Sequence, residues 1–105
     1  MTDLNYKLLP EHMQEGMRRY IEQGAAPGSF LTAILSNNFV EAAVIADTVN
    51  QGRLFSYAEF LYHQAPINSW GNPRIVGAWI AKGGKNGIQA RANKRGDGNE
   101  ITRIG

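Results

Sequence analysis

The side chains of this chain that could act on a ligand are few, and most of them fall at loop–helix junctions. Pro27-Gly28-Ser29 and Gly71-Asn72-Pro73 each place a glycine and a polar residue where an apolar-periodic segment begins. Free backbone N–H groups and the positive end of a helix suit such places to a phosphate or carboxylate. Ordinary capping and tight turning account for the same residue types, and that reading carries more weight. Neither segment is a Walker loop or a dinucleotide fingerprint. Trp70 stands in a polar loop beside Gly71, close in sequence to Tyr62, His63 and Arg74. An indole next to cations can stack on a base or anchor an interface; alternatively it closes the domain over Pro66 and Pro73. Arg18 and Arg19 diverge by about 100° on a helix, so at most one flanks the buried face and is placed to bind an anion. The other pairs with Glu15 or Glu22 or faces solvent. The candidate ligand-binding set is therefore Arg18, Gly28, Ser29, Trp70, Gly71, Asn72 and Arg74, with Tyr6-Lys7 as a weaker pair of the same kind.

Other chemistries find little to work with. His12 and His63 are the only histidines and there is no cysteine, which excludes disulfides and thiolate zinc sites. No metal and no cofactor is expected. There is no Gly-x-Ser-x-Gly elbow, and Glu11 with Glu15 suits the positive end of a first helix better than acid–base catalysis. The expectation is a binding protein and not an enzyme.

The elements that must position these residues are helices. Met13, Met17, Tyr20 and Ile21 recur at 3–4 spacing before Gly24, which predicts a helix over Pro10–Gln23. A turn at 25–29 leads to a short helix whose apolar face is Phe30, Leu31, Ile34 and Leu35. Asn38 and Glu41 form a capping pair for a third helix, with Phe39, Ala42, Ala43, Ala46 and Val49 facing inward. Asn50-Gln51-Gly52 ends it. A fourth helix covers Leu54 to His63 and stops at Ala65-Pro66. Asn72-Pro73 starts a fifth, carrying Ile75, Val76, Trp79 and Ile80, with Trp79 assigned to the core, and Gly83-Gly84 closes it. The expected fold is mainly α: a compact bundle of about five short helices over residues 1–84, followed by a basic, Gly-rich extension over 85–105. In the extension, Ile88–Ala92 and Glu100–Ile104 alternate around a Gly96–Asn99 turn, which fits either a β-hairpin or a disordered tail.

Charge is divided along the chain. Residues 1–81 carry five cationic and seven acidic side chains, a net −2, while residues 82–105 carry six and two, a net +4. Only the extension qualifies as a nucleic-acid contact, through phosphates. No run of 18 apolar residues exists, so no membrane partner is expected. Met1-Thr2-Asp3-Leu4 lacks a basic region followed by an apolar stretch, so no secretory signal is expected.

Leu9-Pro10-Glu11-His12-Met13, Arg18-Arg19-Tyr20-Ile21-Glu22 and Pro27-Gly28-Ser29-Phe30-Leu31 resemble a family of small helical proteins of tailed phages and prophages. The likeness continues through Ala46-Asp47, Asn50, Phe60-Leu61-Tyr62, Ala65-Pro66, Trp70-Gly71, Pro73 and Ala78-Trp79-Ile80, over residues 8–82. The stretch after Gly84 departs from the family pattern. The family has no assigned active site, so the resemblance carries over no catalytic residue. It implies a phage accessory protein in the cytoplasm of an infected bacterium, antagonising antiviral defence without catalysis. The leading expectation is sequestration of a nucleotide immune signal, with a homo-oligomer deepening the pocket. The alternatives are direct binding of a host defence protein and a nucleic-acid-binding regulator using residues 82–105.

Overall fold

The computed structural model describes the backbone of residues 4–104 and the side chains of residues 4–94. Among them are a 3-10 turn (Tyr6–Leu8) and seven helices: α1 (Glu11–Gln23), α2 (Ser29–Leu35), α3 (Phe39–Ile45), α4 (Thr48–Gln51), α5 (Leu54–His63), α6 (Pro73–Ala81) and α7 (Gly84–Ile104). The mainly helical class is as expected. No described helix is long and apolar enough to cross a membrane.

One core joins these elements. Met17, Tyr20 and Ile21 of α1 meet Leu31, Ile34 and Leu35 of α2, Tyr57, Phe60 and Leu61 of α5, and Val76 and Trp79 of α6. Each large side chain buried there contributes about 1.5–3 kcal/mol relative to exposure. Two of its polar atoms are satisfied by partners outside their own helices. The Tyr20 hydroxyl donates to the Ser69 carbonyl at 2.8 Å, and the Tyr57 hydroxyl donates to Asn50 Oδ1 at 2.7 Å. Burial pushes both phenols above the usual tyrosine range, so they stay hydrogen-bond donors.

The expected helix starts hold where a side chain caps them. Asn38 Oδ1 accepts from the Glu41 amide at 3.2 Å, and Asn72 Oδ1 accepts from the Ile75 amide at 2.9 Å with Pro73 in the first turn. The third helix is corrected. It ends at Ile45, Ala46 turns extended, and α4 restarts at Thr48. The cause is Asp47, whose Oδ1 accepts from the Asn50 amide at 2.7 Å and so caps a new helix. The restart buries Asn50 and leaves Val49 exposed instead of facing inward.

Asp47 also lies 3.0 Å from His12 Nε2 on α1. The Asn50 amide first, and His12 second, hold the Asp47 carboxyl below the usual carboxylate range. A carboxyl depressed in the folded state stabilises it above the unfolded value of about 3.9, and that contribution is lost as pH falls through the folded value. Thermal unfolding followed across about pH 5 to about pH 2 is therefore expected to fall less steeply for Asp47→Asn than for the parent. Parallel acid limbs would remove this role.

In the C-terminal extension, Ile88–Ala92, which the sequence leaves open between the first strand of a hairpin and a disordered tail, belongs to α7. The turn and second strand of that hairpin rest on residues 95–105, which lie outside the described side chains. The N-terminal end of α7 is packed and not loose. Gly24, at the end of α1, and Gly84, at the start of α7, both have positive φ, 72° and 67°. They meet backbone to backbone: a Cβ on Gly24 would sit 2.6 Å from the Gly84 nitrogen.

Candidate functional site

The junction of Gly24 with Gly84 packs α7 on α1, and α7 also touches α6, with which it borders a groove. It has a volume of about 720 Å³, inside the roughly 300–1,000 Å³ typical of small-molecule sites. Ile75, Ala78 and Trp79 of α6 and Ile88 and Ala92 of α7 form its apolar lining, and Ile67 stands at its edge, 84 % exposed. Asn68 and Gln89 add amides. Lys82, Lys85 and Arg91 add three cations, and among the described side chains no carboxylate lines the groove. The Arg91 guanidinium donates to the Lys82 carbonyl at 3.2 Å, where the negative end of α6 welcomes a cation. Arg91 is thus partly a capping residue. Lys82 is exposed and Lys85 half-buried. An apolar trough bordered by like-signed cations suits a ligand with a flat or aliphatic body and a negative end.

The residues singled out from sequence occupy several places. Gly28 and Ser29 open α2 and are exposed. The Gly71 amide donates at 2.8 Å to the carbonyl of Leu35, the last residue of the same helix. The two loops thus mark opposite ends of α2, separated by about 9 Å along its axis. Asn72 spends its side-chain oxygen on the α6 cap. Trp70 is half-buried against the core, and Arg74 is exposed. The Trp70 loop is further pinned through Ser69, whose hydroxyl donates to the Pro66 carbonyl at 2.6 Å. Arg18 lies in a second cleft, with its guanidinium 4.7 Å from the Tyr6 ring centre and 3.6 Å from Glu15. That cleft, of about 520 Å³, also holds Lys7 and Glu22, so its charge is mixed. Arg18 thus lines the second cleft, and Gly28, Ser29, Trp70, Gly71, Asn72 and Arg74 line neither that cleft nor the groove between α6 and α7.

The sequence reading placed Lys82, Lys85 and Arg91 only in a phosphate-contacting extension, and it assigned Ile67 and Ile88 to no site. A signal for them was present: from Phe60 to Gly96 the chain contains no Asp or Glu. Among the described residues there is no group of three His, Cys, Asp or Glu side chains able to hold a metal ion.

Fold and groove together define a small, mainly helical protein with a cationic, apolar-lined cleft. Comparison with protein-family models, with curated proteins and with solved structures finds no match for the chain.

Proposed function

We propose that this protein binds a small phosphorylated nucleotide in the groove between α6 and α7 and holds it without turnover. One observation carries the reading. Among the described side chains, three cations and no carboxylate border an apolar trough of nucleotide size. The base lies on Ile67, Ile75 and Ile88, and the phosphates face Lys82, Lys85 and Arg91. Read with the resemblance to small phage proteins, the role is capture of a nucleotide signal of bacterial antiviral defence inside the infected cell. The groove forms within a single chain, so this reading needs no second copy to complete the site.

Calorimetry with cyclic dinucleotides and ADP-ribose derivatives tests it. One class is expected to bind and to be recovered chemically intact. Ile67→Asp and Lys85→Glu are each expected to weaken binding by about tenfold to a hundredfold, the value of a desolvated contact or a charge-assisted hydrogen bond. Heat from none of the panel, or an affinity unchanged from the parent in both variants, sinks the proposal. An anti-defence role would then pass to direct protein binding, for which the exposed Val40, Val44 and Phe55 offer apolar contacts. Consumption of the nucleotide would instead make the protein an enzyme.

A further inference from the structure

We infer that the cleft between the N-terminal arm and α1 is a second binding site, for a small amino dicarboxylate: a ligand with one ammonium and two carboxylates. Gln14, Arg18 and Glu22 follow one another at four-residue steps, so they form one row along α1 with Cβ atoms about 5–6 Å apart. All three line the cleft, and Lys7 lines it from the arm. Arg18 and Glu22 stand at the spacing where opposite charges on a helix usually meet, yet they form no ion pair with each other. Arg18 lies over the Tyr6 ring at 4.7 Å, and its 3.6 Å separation from Glu15 is beyond hydrogen-bond length. Glu15 accepts from Arg19 instead, at 3.4 Å. Glu22 accepts from the Tyr6 hydroxyl at 3.3 Å. One buried tyrosine thus holds a cation and an anion a helical turn apart on the wall of one cleft.

The arm that forms the other wall is fastened at three points. The Gln14 side-chain amide donates to the Leu9 carbonyl at 3.0 Å, the Asn5 backbone amide donates to Gln64 Oε1 at 2.9 Å, and the Arg53 guanidinium donates to the Leu8 carbonyl at 2.7 Å. A cleft whose walls are already fixed loses little ordering entropy when a ligand enters. Its volume of about 520 Å³ suits a small molecule. The charges choose which one. Among the described side chains the cleft has two cations, Lys7 and Arg18, and one carboxylate, Glu22. A plain anion is repelled by Glu22, and a plain cation by Lys7 and Arg18. An amino dicarboxylate answers all three: one carboxylate takes the planar Arg18 fork, the ammonium meets Glu22, and the second carboxylate meets Lys7. No described residue is shared with the groove between α6 and α7, so this site goes beyond the nucleotide reading and can fail separately from it.

An NMR titration of the full chain with glutamate, aspartate, glutarate and glutamine tests the inference. Glutamate or aspartate is expected to shift the amides of residues 4–7, Gln14, Arg18 and Glu22 to saturation. The better of the two is expected to bind about tenfold tighter than glutarate, which lacks the ammonium, and than glutamine, which lacks the second carboxylate. Glu22→Gln is expected to cancel the advantage over glutarate, and Lys7→Gln the advantage over glutamine. Neither variant is expected to change nucleotide binding between α6 and α7. Lys7 is exposed, so its variant keeps the fold and the comparison stands on it even if Glu22→Gln unfolds. No saturable shift, shifts confined to α6 and α7, glutarate or glutamine binding as tightly as the amino dicarboxylates, or a preference over glutamine that survives Lys7→Gln overturns it.

Discussion

Replacing Trp79 by alanine is expected to destabilise the protein by about 3–5 kcal/mol, the range for losing a large buried aromatic. Domains of this size hold about 5–15 kcal/mol in all, so the variant stands near the edge of folding. The indole is 4 % exposed and belongs to the core. Its N–H is shared between the Tyr20 carbonyl at 3.0 Å and the Ile21 carbonyl at 3.2 Å. Those carbonyls lie in the last turn of α1, where helical partners run out. The amide that would close the next turn onto Ile21, that of Ala25, is bonded to Arg19 instead at 3.2 Å. Trp79 thus supplies α1 with part of its C-terminal cap from another helix. Trp79→Phe isolates this part: it keeps most of the apolar contact, loses the donor, and is expected to cost about 1–3 kcal/mol. Urea unfolding followed by circular dichroism measures both. A loss under 1 kcal/mol for the alanine variant would mean that the indole is not the link between α1 and α6 described above.

The second large effect is expected at Gly84. Alanine there must adopt the left-handed region at φ +67°, and its Cβ would meet the Ile21 carbonyl oxygen at 2.8 Å and the Gln23 carbonyl carbon at 2.9 Å. Left-handed backbone costs a residue with a Cβ about 1–2 kcal/mol. Overpacking costs about 1–3 kcal/mol more, and here the obstructing atoms are backbone, which cannot rotate aside. Gly84→Ala is therefore expected to lose about 2–5 kcal/mol, or to part α7 from α1 and open the groove. Gly24→Ala strains the same contact, so the double variant should lose less than the two single losses added together. Gly77 provides the control. It lies inside α6 with open space around it, and alanine there is expected to stabilise the helix by about 0.5–1 kcal/mol. Melting temperatures of Gly84→Ala and Gly77→Ala that move together would show that the close approach carries no weight.

Much of the fold could be read locally. The 3–4 spacing of Met13, Met17, Tyr20 and Ile21, the stop at Gly24, and the Asn38 and Asn72 caps are decided within a few residues of themselves. α1, α2, α5 and α6 accordingly fall close to where those signals put them. The break at Ala46 was harder to see, because an alanine-rich run favours helix whether or not it is interrupted. What interrupts it is the Asp47 cap, and the buried Asn50 that follows is held by Tyr57 Oη from another helix.

What the chain order determined by itself was the helical class, the caps, the Trp79 core position and the gathering of positive charge toward one end. Tertiary structure alone decided that α7 packs on α1 through two facing glycines, and that Lys82, Lys85 and Arg91 border one groove with Ile67 and Ile88. It also placed Gly28 and Gly71 at opposite ends of α2. The reason is range: capping and periodicity act over three or four residues. A groove, by contrast, depends on which backbones approach closely enough to exclude a single Cβ, and Gly24 and Gly84 meet across 60 positions of chain.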